Sequence, residues 1–189
     1  MGSPSALTLA KMGFGDEGVM ELWDHDVVEA HNVATQLYRT SDVGRPKVSA
    51  LRRLLREFAD VEAVGYPEKF AGDVDPDAVY ICTVDSMDAR KQIWGDMTRS
   101  LFPRLYIEAR MGALNGAVYC VTESDKHRYE PTLYPSSEAQ KLPCTAKAIF
   151  FTGMGIGAII ASFVWSFLSG KPVPFETLVS FDALDVIRG

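Results

Sequence analysis

Apolar positions along the chain follow two periods, a spacing of three to four residues typical of helices and continuous short runs typical of buried strands. The helical spacing is clearest over 46–58, where apolar residues recur on one face from Val48 to Phe58. A continuous apolar run over 78–83 indicates a parallel strand covered on both faces. The same patterns predict helices over 4–13, 87–101 and 145–169, and strands over 18–24, 61–64, 104–110, 117–122 and 176–181.

This alternation of strands and helices predicts an α/β fold: a doubly wound, mostly parallel Rossmann-like sheet with antiparallel strands late in the chain. The 189 residues suffice for one domain with its own core, and we expect a single domain over 1–189. Residues 123–143 show no clear period, so they are predicted as a surface loop with a helical turn over 137–141.

The segment 148–168 holds 21 residues without a formal charge, which is long enough for a membrane span. Gly153 and Gly157 within it form a GxxxG pattern, which allows close helix packing. A buried helix of an α/β protein is also apolar all round. Because a complete α/β pattern surrounds this segment, a buried helix is favoured over a membrane span.

Composition narrows the classes of function. The net charge is −6 with both signs interspersed, so no nucleic-acid groove is expected. The three cysteines form no CxxC pair, which argues against a disulfide framework or a four-thiolate zinc site. His25, His31 and His127 are not spaced as a metal site. With no secretory signal visible, we expect a cytoplasmic protein.

Three candidate sites follow strands or begin a helix, where the carboxyl ends of a parallel sheet bind ligands. Asp24 and Asp26 end the strand over 18–24, and an acid there accepts ribose hydroxyls. Asp85 follows the strand over 78–83 and offers Mg²⁺ a hard oxygen ligand. Lys47 begins a helix and supplies a mobile positive charge for phosphate. Each signal is weak alone, since solvated acids at strand ends are common.

Their joint order is more specific. Asp24-His25-Asp26 is followed by Asn32, Gln36, the run Asp42-Val43-Gly44-Arg45-Pro46-Lys47, and then Cys82-Thr83-Val84-Asp85 with Arg90. Pro143-Cys144 precedes the glycine-rich apolar helix, and Leu178-Val179-Ser180-Phe181-Asp182 fits a last strand. Over nearly the whole chain this set resembles the ThiF/MoeB/HesA adenylyltransferases, relatives of ubiquitin-activating enzymes.

The resemblance implies ATP-dependent adenylation of a C-terminal carboxylate, that of a small ubiquitin-like or sulfur-carrier protein, by a homodimer. It places the ATP ribose on Asp24 and the phosphates on Asn32 and Lys47, and it puts Mg²⁺ on Asp85. Gly2, Asp26 and Gln36 complete the implied nucleotide site. Cys144 is the candidate thiol for passing on the activated carboxylate, with a small packed residue at the helix start as the alternative.

Two departures from the family pattern keep other interpretations open. Thr35 stands where the family has an arginine, and Arg39, one helical turn on, is a possible substitute. The family also opens with a strand and a Gly-x-Gly-x-x-Gly loop, of which Gly2 matches only the last glycine, so the domain is expected to be N-terminally incomplete. A catalytically incomplete binding module, or a fragment of a longer active enzyme, therefore remains an alternative, with a Rossmann dehydrogenase less favoured. Arg110 is interpreted either as a ligand of substrate or phosphate or as half of a salt bridge.

Overall fold

The structure is a computed structural model, and it describes residues 1–15, 19–71, 73–99, 101–135 and 149–189. The described helices and strands form a mixed α/β fold with parallel and antiparallel strand pairs. The chain divides into two compact units: Met1–Phe70 with Gly153–Ala161, and Ala71–Thr152 with Ser162–Gly189. The single domain over 1–189 stays a prediction.

The elements have the following bounds. The helices are α1 Gly2–Lys11, α2 Ala30–Thr35, α3 Lys47–Ala59, α4 Met87–Met97, α5 Lys126–Tyr129 and α6 Phe150–Leu168. The strands are β1 Glu21–Trp23, β2 Val64–Tyr66, β3 Val79–Cys82, β4 Leu105–Gly112, β5 Asn115–Val121, β6 Glu176–Ser180 and β7 Asp185–Arg188.

In the first unit, β1 and β2 pair in parallel, with Trp23 opposite Tyr66. Helix α3 buries most of the apolar face that its sequence spacing predicts, but Phe58 on that face is exposed. The helix is capped by Asp60, whose φ of 55° is left-handed. The core of this unit comes from α1, α3 and the segments beside them: Ala10, Val28, Tyr38, Ala50, Leu51, Leu54, Leu55, Val61 and Ala63. Leu22 of β1 packs against this core, so β1 and α3 share it.

The second unit contains a five-stranded sheet in the order β3-β4-β5-β6-β7. Strands β3 and β4 are parallel, and every later neighbouring pair in this sheet is antiparallel. The antiparallel strands expected late in the chain are thus confirmed. Tyr106 and Tyr129 are fully buried and meet Trp94 in an aromatic cluster beside β4.

Helix α6 is the one described helix that is long and apolar enough to cross a membrane, judged by length and composition. About 44% of its most apolar stretch is buried, and the core helices of soluble proteins can be equally long and apolar. Its buried positions are Thr152, Gly153, Ile156, Gly157, Ile160, Ala161, Phe163 and Val164.

The patterns missed several short elements. Helix α2 has only six residues, too few to show a period, and β7 is exposed on both faces, so no alternation marks it. The predicted loop over 123–143 is wrong for its first part, because α5 and two 3₁₀ turns occupy 123–132. The helical turn predicted over 137–141 lies outside the described residues.

Candidate functional site

The carboxyl end of β1 is shaped by two aspartates. The backbone N–H of Asp24 donates to the Tyr66 carbonyl at 3.2 Å, which continues the β1–β2 ladder by one residue. One carboxylate oxygen of Asp24, Oδ1, accepts from the Asp26 N–H at 2.8 Å and closes a tight turn. This turn leaves the second oxygen, Oδ2, available to a ligand beyond the strand.

Lys47 joins this turn as the first residue of α3. Its N–H donates to the Asp26 carbonyl at 2.9 Å, and its Nζ lies 2.6 Å from Asp26 Oδ2. The lysine side chain is only 15% exposed, whereas that of Asp26 is 51% exposed. The ammonium is therefore held in place beside the carboxyl end of β1.

The two carboxylates differ electrostatically. The hydrogen bond from Lys47 holds the pKa of Asp26 below its usual range. Burial raises the pKa of Asp24, and the hydrogen bond from Asp26 opposes that rise. Asp26 is thus the counter-ion of Lys47, whereas Asp24 keeps one carboxylate oxygen outside the turn.

His25 lies between the two aspartates, and one ligand atom from each of the three residues falls within 4.8 Å of the others. The imidazole is exposed, and its Nε2 is 3.6 Å from Asp26. Lys47 already pairs with Asp26, so the charge of this cluster is partly neutralised within the chain.

The start of α1 lies near the same lysine. The helix begins at Gly2, and burial, followed by repulsion from Lys47, lowers the pKa of the Met1 amine to about 6. Ser3 and Ser5 are buried here; Ser3 Oγ accepts from the Leu37 N–H, and Ser5 Oγ donates to the Met1 carbonyl. The free N–H groups of a first helical turn and their dipole favour a bound anion.

Asn32 and Gln36 frame α2 in the same unit. Asn32 is buried, and its Oδ1 accepts from the Glu29 N–H at 2.9 Å in a capping box. Gln36 is half-buried and ends the helix, with its N–H bonded to the Asn32 carbonyl. A cap of this kind leaves the Asn32 amide N–H₂ as the group available to a phosphate.

In the second unit, Asp85 is exposed and directly precedes α4. Ser86 caps that helix by accepting from the Ala89 N–H at 3.1 Å. The carboxylate of Asp85 thus stands at the carboxyl end of β3, as expected from its place after the strand.

Behind Asp85 lies a buried charge network centred on Glu108, which has no exposed surface. Its Oε1 accepts from Arg90 Nε at 2.5 Å and its Oε2 from Arg110 Nε at 2.7 Å. Arg90 also donates to the Val84 carbonyl, next to Asp85. Arg110 in addition donates to both oxygens of Thr132. Of the two interpretations of Arg110, the structure supports the salt bridge.

The ThiF family model matches residues 1–188 of this chain. The chain belongs to the ThiF family. No curated protein matches its sequence at a significant level.

Solved structures of ThiF-type proteins share the fold. PaaA superposes with a TM-score of 0.70 at 21% identity, covering 100% of this chain and 68% of its own. MccB of E. coli gives a TM-score of 0.71 at 17% identity as its succinimide complex, and 0.68 at 16% as its ATP complex. This chain is covered completely in both comparisons but spans only 60% and 59% of those chains. These likenesses confirm the Rossmann-like α/β fold.

The arginine position of the ThiF pattern holds Thr35, whose Oγ1 donates to the His31 carbonyl at 3.1 Å. Arg39, the possible substitute, instead pairs with Glu57 at 2.8 Å and lies over the Phe58 ring. The Arg39 guanidinium is thus bonded to α3 in an exposed ion pair, and its substitution for the family arginine stays a prediction.

The cysteines divide clearly. Cys82 and Cys120 are buried in strands, as their sequence context predicts, and burial raises the pKa of both thiols. Cys144 lies outside the described residues, and its role stays a prediction.

Sequence reasoning assigned no role to Asp42 or Glu108, two buried carboxylates paired with arginines. The signal for Glu108 is a single charge inside the apolar strand β4. The signal for Asp42 is the family motif around Lys47, in which only the lysine was given a function.

Proposed function

We propose that this chain binds ATP at the carboxyl end of β1, with Asp24 on the ribose and Lys47 on the phosphates. The observation that carries the proposal is the ammonium of Lys47, held 2.6 Å from Asp26 in the turn that Asp24 begins. The start of α1 at Gly2 adds helix N–H groups and a positive dipole beside the same lysine. ThiF membership supports this nucleotide assignment.

The reaction we propose is adenylation of a carboxylate. A carboxylate oxygen forms a bond to the α-phosphorus, the bond from that phosphorus to the β-phosphate bridging oxygen breaks, and pyrophosphate leaves with that electron pair. The products are an acyl adenylate and pyrophosphate. Such a step needs positioning and charge neutralisation more than covalent help, and Lys47 supplies a fixed positive charge for it.

The acceptor that we propose is the C-terminal carboxylate of a peptide or small protein, with a ubiquitin-like or sulfur-carrier protein as the finer expectation. A structural neighbour, E. coli MccB, has been solved with AMPCPP and MccA together. The chain in hand spans about 60% of that neighbour, so the acceptor and its binding surface are proposals. A homodimeric, cytoplasmic enzyme remains the expected form.

Remaining site residues keep more limited assignments. Asp85 is an exposed carboxylate, which suits Mg²⁺, a hard cation usually held by one or two carboxylates and substrate phosphates. When bound, Mg²⁺ supplies neutralisation of phosphate charge. Asn32, Gln36 and Asp26 are proposed to line the nucleotide site, and Cys144 is the proposed acceptor thiol.

The test measures ATP binding by calorimetry and by the rise in melting temperature, and then ATP–pyrophosphate exchange with C-terminal peptides. Lys47→Ala should reduce exchange about a hundredfold, because losing one preorganised charge costs roughly 3 kcal/mol. Asp24→Asn should weaken ATP binding. Glu62→Gln, which alters the exposed ion pair with Arg56, is the control and should behave like the wild type. Absence of ATP binding by the wild-type chain would disprove the proposal.

A second function, an ATP-binding module without catalysis, is favoured by one observation. Thr35 supplies no charge and Arg39 is bonded to Glu57, so neither residue presents a free guanidinium in place of the family arginine. This function predicts ATP binding that depends on Lys47 together with pyrophosphate exchange at background. Thr35→Arg would then be expected to raise exchange above background.

A further inference from the structure

Asp42 begins the turn that leads to Lys47. Its carboxylate is buried, and both of its oxygens accept hydrogen bonds. Its Oδ2 accepts from the Arg39 N–H at 2.9 Å, and its Oδ1 accepts from the Arg53 guanidinium. The Asp42 side chain is only 3% exposed, whereas that of Arg53 is 41% exposed. Arg53 stands six residues after Lys47 in α3, so Asp42 is bonded to the helix that Lys47 begins.

The turn between Asp42 and Lys47 is also bonded to the segment that follows β1. Its Gly44, with a φ of 85°, donates to the Val28 carbonyl at 2.8 Å, and the Val28 N–H donates to the Arg45 carbonyl at 2.8 Å. The Arg45 N–H in turn donates to the Asp42 carbonyl at 2.9 Å. The backbone of Lys47 therefore reaches Asp26 through a turn whose first residue is fixed by the Asp42 carboxylate.

We propose that Asp42 is a positioning residue: by holding Arg53 and the Arg39 backbone, it fixes the turn that sets the Lys47 ammonium against Asp26. Asp42 does not contact the nucleotide site itself. Its catalytic consequence rests on the proposed function of Lys47, whereas its effect on the Lys47–Asp26 pair does not.

The experiment follows the Asp26 carboxyl group by NMR titration in the ATP-free chain. In the wild type its pKa should lie below the usual value, because Lys47 donates to it. In Asp42→Asn the turn loses its charged anchor, and the pKa of Asp26 should rise toward the usual value. Removing a nearby negative charge directly would lower this pKa, so a rise reports movement of Lys47.

The control is Glu57→Gln, which breaks the other ion pair of the same turn, between Arg39 and Glu57 at 2.8 Å. Its Asp26 pKa should stay at the wild-type value. An unchanged Asp26 pKa in folded Asp42→Asn overturns the proposal. So does an equal rise in Glu57→Gln, since any disturbance of the turn would then suffice.

If Asp42→Asn fails to fold, Arg53→Gln removes the same ion pair from its exposed side. Arg56→Gln removes an exposed charge from the same helix without touching Asp42, so it controls for the direct electrostatic effect and should leave the pKa of Asp26 at the wild-type value. An unchanged Asp26 pKa in Arg53→Gln overturns the proposal.

Kinetics then separate positioning from plain stabilisation. With the wild type active in pyrophosphate exchange, the folded variant should lose about ten- to a hundredfold in kcat/KM for ATP, because the phosphate-binding Lys47 is displaced. If Asp42→Asn raises the pKa of Asp26 but the wild-type chain binds no ATP, the proposed function is refuted and the positioning role stands.

Discussion

The packing of α6 against α1 can be tested at the two glycines of its GxxxG pattern, Gly153 and Gly157. A Cβ built on Gly157 lies 2.9 Å from Pro4 Cβ, 2.9 Å from the Ser5 nitrogen and 3.1 Å from the Pro4 carbonyl carbon. Two of these neighbours are backbone atoms of α1, which do not yield as a flexible side chain does. A Cβ built on Gly153, four residues earlier, meets nothing within 4 Å.

Alanine at these two positions therefore forms a matched pair. Each Gly→Ala change gains about 1 kcal/mol of helix propensity. At Gly157 the clash costs about 1–3 kcal/mol, since added methyl groups in a filled interface force backbone shifts. Gly153→Ala should thus stabilise the chain by about 1 kcal/mol, whereas Gly157→Ala should range from no change to a loss of about 2 kcal/mol.

Urea denaturation followed by circular dichroism measures the difference. With a slope of about 2 kcal/mol per molar urea, the midpoints of the two variants should differ by roughly 0.5–1.5 M. The same clash pushes on the first turn of α1, so Gly157→Ala should also weaken ATP binding, and Gly153→Ala should not. Equal midpoints for the two variants would refute the argument that Gly157 is required for close approach.

Three further predictions concern buried and charged groups. Glu108→Gln leaves Arg90 and Arg110 without their buried counter-ion and should lower the free energy of unfolding by about 3–5 kcal/mol in urea titrations. Glu57→Gln breaks an exposed pair and should cost at most about 1 kcal/mol. In the native chain, Cys82 and Cys120 should resist a thiol reagent at pH 8 until urea unfolds it, because burial raises both pKa values, that of Cys120 to about 12. Because the pKa of Asp26 is lowered from its usual value of 3.8, this carboxylate stabilises the fold at pH values above 3.8. That stabilisation is lost as the pH falls through the native pKa, so Asp26→Asn should flatten this part of an acid denaturation curve.

The sequence predicted those features of the fold and the site that depend on the local pattern of residues alone. Strand ends predicted the positions of Asp24 and Asp85, because an acid after an apolar run marks the carboxyl edge of a sheet. The spacing of α3 predicted its buried face and the place of Lys47 at its start. Burial of Cys82 and Cys120 followed from their strands.

Long-range partners could not be predicted in this way. Arg90 meets Glu108 across 18 positions of sequence, and Gly157 meets Pro4 from the far end of the chain. The sequence also did not show that one side chain can have two roles. Asn32 matches a phosphate ligand of the family motif, but its Oδ1 caps α2. Arg39 similarly looked available by spacing, and only the fold shows its bond to Glu57.

The two buried carboxylates share a design that stability alone does not explain. Replacing a buried ion pair with well-packed apolar residues is often neutral or stabilising, so such a pair is weak evidence for stability. Asp42 and Glu108 each bind an arginine from a following or preceding helix, and each pairing fixes the backbone of a loop at the carboxyl end of a strand. One loop leads to Lys47, and the other leads to Asp85. Directional bonds from a guanidinium specify the position of a loop, which apolar contacts do not, and that requirement accounts for charges buried at these two places.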